Sequence, residues 1–504
     1  MRNFRLAGAG LALILAGLMP TVQATSPLVA PGDYQFRNDL RILQDAGVLQ
    51  GPFSIWPVSL SQVYDGLASL EEEQRAALSP SERSALGRVQ RRLSVQRAEG
   101  WSAQLGVRGG SEPQLLRSFE DTPRGEQEAT LGASWTGGSF AGELKLTQVR
   151  DDPAEDQDFR LDGTWVGAVK GNWMFAAGLI DRYWGPGWQS GLIISNNARP
   201  RPGLTIRRMR STPFATPWLS WLGPWQFTFF LEQLESDRPV DKPFFTGARF
   251  AFLPFESLEI GLSRSAQFGG GDSDVGLDTI ANVVSGQSTD TNPLVGSASG
   301  INQLAGLDGR WNLPYLPMAI YGEFIGEDEQ GIGPAEFLSQ GGVELWGGFG
   351  ESGHAWRLIV EYADTSAGLL EEGEGNSDNF GVAYNNNSFP VGYRFRNRVL
   401  GHSAESDALL TSGRLLVSFS NGTFVNLAAM SGELNRTAIN NARGRGAANT
   451  LTLFNEDVEQ AELSVEHLFR FGRIKAAVGQ TRRTPRGGDE DSETFGWVGF
   501  DRHF

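Results

Sequence analysis

The spacing of its turns is what most limits how this chain can fold. From Trp101 to Phe504, apolar and polar residues alternate by two in short runs. Phe140, Leu144 and Leu146 alternate with Glu143, Lys145 and Thr147. Phe227, Phe229 and Leu231 alternate with Gln226, Thr228 and Glu232. Trp356, Leu358, Val360 and Tyr362 alternate with Ala355, Arg357, Ile359 and Glu361, and Leu463 and Val465 with Glu462, Ser464 and Glu466. A soluble sandwich and a membrane barrel both produce such faces. The connections separate the two. Tight hairpin turns at Gly137-Gly138, Lys170-Gly171-Asn172, Pro254-Phe255, Ser352-Gly353, Asn421-Gly422 and Gly472-Arg473 alternate with long polar stretches. Those stretches lie near 110–127, 150–159, 181–202, 266–304, 364–409, 431–456 and 481–493. Short turns at one rim and long loops at the other are the signature of an outer-membrane barrel. Strand starts near 101, 128, 139, 160, 171, 203, 224, 244, 256, 306, 318, 340, 354, 410, 422, 458, 471 and 494 make about eighteen, an even number as such barrels require. One segment, 211–223, is long where a short turn is due, and is expected to tuck under the barrel.

Residues 1–24 read as an export signal. Arg2 and Arg5 precede an apolar stretch from Leu6 to Leu18, and Val22-Gln23-Ala24 is a small-residue cleavage site. No later run of about twenty apolar residues follows. Residues 25–100 read as a small periplasmic α-helical bundle. Phe36, Leu40, Leu43 and Ala46 are at helical spacing, and Gly47 stops that helix. Ser59 opens a second helix carrying Leu60, Val63, Tyr64 and Leu67. Ser79-Pro80-Ser81-Glu82 is a capping box that opens a third, with Leu86, Val89 and Leu93. The third helix also carries Arg83, Arg88, Arg91, Arg92 and Arg97. That row is most simply a solvated face; the alternative is docking on an acidic partner or membrane surface. Residues 101–504 are then the barrel: a large antiparallel transmembrane β-barrel of about 18 strands behind a small N-terminal α-helical bundle. The 31 Phe and 14 Trp residues supply aromatic girdles. Phe504, with Phe500 and Val498 on the same face, resembles the terminal signal read by the barrel assembly machinery.

A net charge of −16 argues against a nucleic-acid partner. With no cysteine there is no disulfide, thiol nucleophile or Cys-ligated zinc. The four histidines never form a close pair. No G-x-S-x-G elbow is present. No enzymatic activity, cofactor or metal site is expected. Acidic runs at Asp151-Asp152 with Glu155-Asp156, Glu371-Glu372-Gly373-Glu374 and Asp489-Glu490-Asp491 offer Ca²⁺-type ligands, but read more simply as solvated loops.

Asp181-Arg182-Tyr183-Trp184-Gly185-Pro186-Gly187-Trp188 and the following Asn196-Asn197-Ala198-Arg199-Pro200 fit neither a core helix nor a regular strand. Gly185, Pro186 and Gly187 force a tight turn. Trp184 and Trp188 offer flat faces for a sugar ring. Arg182, Arg199 and Arg201 offer planar donors for carboxylates, and Asn196 and Asn197 hydrogen bonds for hydroxyls. The plainer alternative is a loop that closes a large β structure. Strand parity puts this loop at the long-loop rim or folded back into the lumen. Arg394, Arg396 and Arg398 share one face if 392–400 is extended, either as a lumen network or in glycan contact. His402 reads as a hydrogen-bonded loop residue.

These two stretches, the first running on through Leu192-Ile193-Ile194-Ser195 and the second being Gly392-Tyr393-Arg394-Phe395-Arg396-Asn397-Arg398-Val399-Leu400-Gly401-His402, resemble the capsule assembly Wzi family. The order of export signal, helical region and Phe-terminated barrel is similar too. The resemblance implies a lectin-like outer-membrane protein that holds capsular or acidic polysaccharide at the cell surface, among outer-membrane lipid and lipopolysaccharide. Arg182, Trp184, Trp188, Asn196, Asn197, Arg199, Arg394, Arg396 and Arg398 are the expected glycan contacts. The competing expectations are a porin-like channel for saccharides or ions and an outer-membrane hydrolase.

Overall fold

A computed structural model describes residues 27–96, 100–271, 301–330, 333–366, 381–386, 388–436 and 449–504, with 273, 275, 276, 279 and 283. The export signal, Arg97 and the 371–374 acidic run lie outside the described residues. Among the described residues, eighteen antiparallel strands close into a barrel. The first strand is Gly100–Gly110 and the last Asp491–His503, which pair from Trp497↔Gly110 to His503↔Gln104. Phe504 extends that seam, its N–H donating to the Ala103 carbonyl at 2.8 Å. The fourth strand is interrupted: Phe159–Arg160 and Trp165–Lys170 both pair with Phe140–Arg150. Met318–Gln330 and Gly333–Phe349 form a long hairpin at the long-loop rim.

Burial is inverted relative to a soluble sandwich. Leu358, Leu415, Leu427, Leu463 and Val478 are register partners across five neighbouring strands and face outward. Leu427 is 51% exposed and Val478 53%. The alternate residues face inward and are polar yet buried, among them Arg249, Glu344, Arg357, Asn426 and Ser464. Closure satisfies the backbone in lipid, and the apolar band faces the hydrocarbon. Leu427→Arg should therefore destabilise the lipid-embedded barrel by about 2–4 kcal/mol. Urea unfolding in vesicles measures this, and an unchanged midpoint would remove Leu427 from the lipid face.

The helices are α1 (Tyr34–Asp45), α2 (Leu60–Ala68), α3 (Glu72–Ala77) and α4 (Pro80–Gln96). The Asp33 side chain caps α1. The Ser79–Glu82 capping box holds the start of α4: the Ser79 N–H donates to Glu82 at 2.7 Å and the Glu82 N–H to Ser79 Oγ at 3.3 Å. α3 carries no apolar period and is absent from the sequence reading. A reciprocal Glu71–Gln74 cap makes it. The α4 arginine row is not wholly solvated: Arg88 pairs with Asp39 at 2.7 Å, and Arg92 with Asp33. Helical residues share one core with Phe119, Tyr183, Trp188, Tyr321, Ile359, Leu416 and Phe424 of the barrel. α1 lies inside the short-turn mouth, and its polar face is buried as fully as its apolar one because the inner wall is charged. Arg41 pairs with Glu259 at 3.0 Å, and Asn38 accepts from Arg357 at 2.8 Å.

The 211–223 segment does not tuck under the barrel beyond Ser211, whose Oγ accepts from the inward-facing Gln226 at 2.9 Å. The rest folds back over the outside of the wall, where Phe214 stacks on the outward-facing Trp225 at 4.3 Å. The reason is chemical: the segment is uncharged and aromatic, whereas the mouth of the barrel is lined with charge.

Candidate functional site

Three pieces meet in the lumen: α1 from the short-turn rim and the loops 180–201 and 381–408 from the other. Tyr183-Trp184 forms a two-residue antiparallel bridge with Ile55-Trp56. The Gly185–Gly187 turn is the pivot. Gly185 has φ +106°, and a Cβ on Gly187 would collide with the Gln340 side chain. Arg37 of α1 donates to the carbonyls of Pro186 at 2.8 Å and Gly187 at 2.7 Å, with its guanidinium 4.2 Å from the Trp188 ring centroid. Tyr183 Oη also donates to the Gly187 carbonyl at 2.7 Å.

Trp188 is buried and stacks on Tyr34 at 6.1 Å. Its Nε1 donates to Glu344 at 3.1 Å and its backbone N–H to Glu361 at 2.8 Å. Trp184 is fully buried, its ring 5.5 Å from that of Phe230. Arg182 and Arg201 share the Glu232 carboxylate, Arg201 at 2.6 Å. Asn196 donates to the Phe119 carbonyl at 2.9 Å and Asn197 to that of Val399 at 3.0 Å. Arg199 pairs with Asp162 at 2.7 Å and with Glu155.

The second loop is braced on the first. The Ser195 N–H donates to the Leu400 carbonyl at 2.8 Å, and Ser195 Oγ donates to that of Gly401 at 2.6 Å. Tyr384 Oη donates to the Leu192 carbonyl at 2.7 Å and Tyr393 Oη to that of Ile193 at 3.0 Å. His402 is buried. Its Nδ1 accepts from the Ala404 N–H at 3.2 Å, and burial pushes its pKa down to about 4, so it is neutral at physiological pH. Burial, reinforced by the Asp162 carboxylate, pushes Asp181 up to about 6.

The arginine row at 394–398 is not a single face. Residues 392–400 fold into a hairpin, Arg394 opposite Val399 and Phe395 opposite Arg398, with positive φ at Arg396 and Asn397. A turn breaks period-two alternation, so Arg394 goes inward to Glu405 at 2.5 Å while Asn397 is exposed at the tip. Arg396 and Arg398 flank Asn397, half-buried.

Seven of the nine candidate contacts are thus buried with protein partners: Arg182, Trp184, Trp188, Asn196, Asn197, Arg199 and Arg394. Their flat faces and most of their donors are taken up within the plug. Asp152 and Glu155, read as possible Ca²⁺ ligands, pair with Arg160 and with Arg199 and Arg396. What the sequence reading missed is the inward set that receives the plug. Arg310 and Arg357 bridge Asp45 of α1 and Glu344 of the wall, with Arg310–Asp45 at 2.8 Å, Arg310–Glu344 at 2.9 Å and Arg357–Asp45 at 2.9 Å. The available signal was a charged residue at an inward position between apolar outward ones, as in Val343-Glu344-Leu345. Beside the plug, a cavity of 1430 Å³ runs from Arg92, Leu468 and Arg473 at the short-turn rim to Asp162 and Asp181. Its wall carries both signs of charge, such as Arg108, Glu128, Lys145 and Asp501.

A closed eighteen-strand barrel, apolar outside, with its own helix and loops packed in the lumen beside that cavity, defines an outer-membrane β-barrel protein. The family model for the capsule assembly protein Wzi matches residues 96–482. A Klebsiella pneumoniae chain, an uncharacterized 55.8 kDa protein in the cps region, is 30% identical over 366 residues, covering 71% of this chain and 69% of that one. The solved structure of Wzi from Escherichia coli, described as an outer membrane protein involved in group 1 capsule assembly and a carbohydrate-binding β-barrel, superposes with a TM-score of 0.79. It is 23% identical, and the match covers 95% of this chain and 99% of that one. The chain belongs to the capsule assembly protein Wzi family.

Proposed function

We propose that this chain is a lectin-like anchor that holds capsular polysaccharide at the cell surface, binding it without turning it over. The family supports this, as does the carbohydrate binding described for the Escherichia coli protein. In this reading the long loops face outward, the short-turn rim and the helices face the periplasm, and residues 1–24 are removed on export. The loops meet lipopolysaccharide, and Phe504 serves barrel assembly.

One observation carries the choice of contacts. The hairpin 394–399 is rooted in the plug by Arg394 and Glu405, and its tip, Arg396-Asn397-Arg398, is the part not buried. Asn397 donates to the Ala154 carbonyl at 3.1 Å and Arg396 touches Glu155 at 3.4 Å, but both guanidinium groups stay part-exposed, and planar donors that pair bidentately with carboxylates suit acidic sugars. Trp184, Trp188, Arg182, Arg199, Asn196 and Asn197 then act as the frame that holds the tip. A pull-down with acidic capsular polysaccharide, comparing wild type with Arg396→Ala plus Arg398→Ala, tests this. Each lost charged hydrogen bond is worth about 1.5–3 kcal/mol, so retention should fall about tenfold or more. Equal retention would place the contacts elsewhere. The helix and loops packed across the lumen disfavour a wide channel, leaving only the cavity beside them.

A further inference from the structure

No charged residue occurs from Ser211 to Leu231, in a chain that is 20% charged. Within that stretch Ser211 stays in the mouth against Gln226, and residues 212–223 fold back against the outer face of the wall. Phe214 stacks on Trp225 at 4.3 Å and 12°, and Trp221 meets Phe252 edge-on at 6.2 Å. Trp225 and Phe252 are outward register partners, yet each is under a tenth exposed because this flap covers them. Arg208 fastens the flap: its guanidinium sits 3.4 Å from the Trp225 ring centroid and donates to the carbonyls of Trp225 and Thr212, both at 2.8 Å. The flap's own outer side is uncharged, mostly apolar and uncovered, with Thr212, Thr216 and Ser220 its exposed polar residues. Trp218 is 72% exposed and Trp221 61%, and Pro213, Ala215 and Pro217 are exposed beside them.

We propose that residues 212–223 form a lateral foot that beds in the phospholipid interface on one side of the barrel. The apolar cluster beneath the flap contains Phe227, Phe250 and Ile260, which continue the lipid-facing band, so the foot prolongs an existing lipid contact. Tryptophan is suited to that layer, since its ring is apolar while its indole N–H reaches the wet headgroups. The charged pair Arg210–Asp65, at 3.2 Å, lies just beyond the foot, where the headgroup region meets water. That the leaflet is the periplasmic one rests on the orientation proposed above; contact with lipid does not.

The chain has no cysteine, so single-cysteine variants report cleanly. Trp218→Cys, Trp221→Cys and, as a turn control, Glu351→Cys are labelled with an environment-sensitive nitrobenzoxadiazole dye. They are reconstituted in phosphatidylethanolamine–phosphatidylglycerol vesicles, with heat-modifiable gel mobility confirming the folded barrel. Positions 218 and 221 should show blue-shifted emission, quenched several-fold more by shallow spin-labelled lipid than position 351 and several-fold less by aqueous iodide. Iodide quenching equal to that at 351 would overturn the proposal by placing the flap in water. Protection from both quenchers would overturn it too, by showing that protein covers the flap.

Discussion

Replacing Arg37 with alanine should unseat the 181–202 loop while leaving the barrel wall closed. Arg37 holds the Pro186 and Gly187 carbonyls at 2.8 and 2.7 Å and lies against both Trp188 and Phe119. Hydrogen bonds from a charged donor contribute about 1.5–3 kcal/mol each, and a desolvated cation–π contact adds about 2 kcal/mol. The loop's attachment to α1 should therefore weaken by about 4 kcal/mol or more. Hydrogen exchange at 184–191 should accelerate, while heat-modifiable mobility stays that of a folded barrel. Because the 392–401 hairpin hangs on Ile193, Ser195 and Asn197, polysaccharide retention should fall in the same variant. Faster exchange with full retention would separate the plug from glycan binding.

The second large effect is expected at Asp45. Its carboxylate, 2% exposed, is shared by Arg310 and Arg357 across the junction between α1 and the wall. With alanine there, two buried guanidinium groups are left with Glu344 as their one carboxylate, Arg357 keeping only the neutral Asn38 besides. Removing one member of a buried charge cluster costs about 3–5 kcal/mol, since the remaining charge stays desolvated and uncompensated. The strands are held by their own backbone ladder, so that cost falls on the docking of α1. In planar bilayers the wild-type chain should give no large steady open state, and Asp45→Ala should give frequent openings. A large open state in the wild type would restore the channel reading. A silent Asp45→Ala variant with normal hydrogen exchange in α1 would show that the cluster does not hold the helix in the mouth.

How much of this was legible in the sequence varies by element. Strands such as Phe140–Arg150, Trp225–Gln233 and His354–Asp364 were, because lipid on one side and a polar lumen on the other write a period of two into the residues themselves. The Ser79–Glu82 box marked the start of α4 for the same local reason. Arg394, Arg396 and Arg398 were misread as one face because the turn has no glycine: Arg396 takes a positive φ that its residue type does not announce, and Asn397 was the one turn-type residue there. Trp184 and Trp188 stood out correctly as unusual. Their composition suits a sugar as well as it suits Phe230, Tyr34 and Arg37, and nothing local distinguishes the two.

By itself, then, the sequence determined the barrel, its strand number and the contrast between its rims, since backbone pairing and sidedness are settled within each strand and its neighbour. Tertiary structure alone decided that the tryptophan loop turns inward, that α1 enters the mouth and that 212–223 lies on the outer wall. Those outcomes depend on groups far apart in the chain, such as Arg37 with Gly187 or Asp45 with Arg357, whose charges look the same in one dimension whether they meet water or each other.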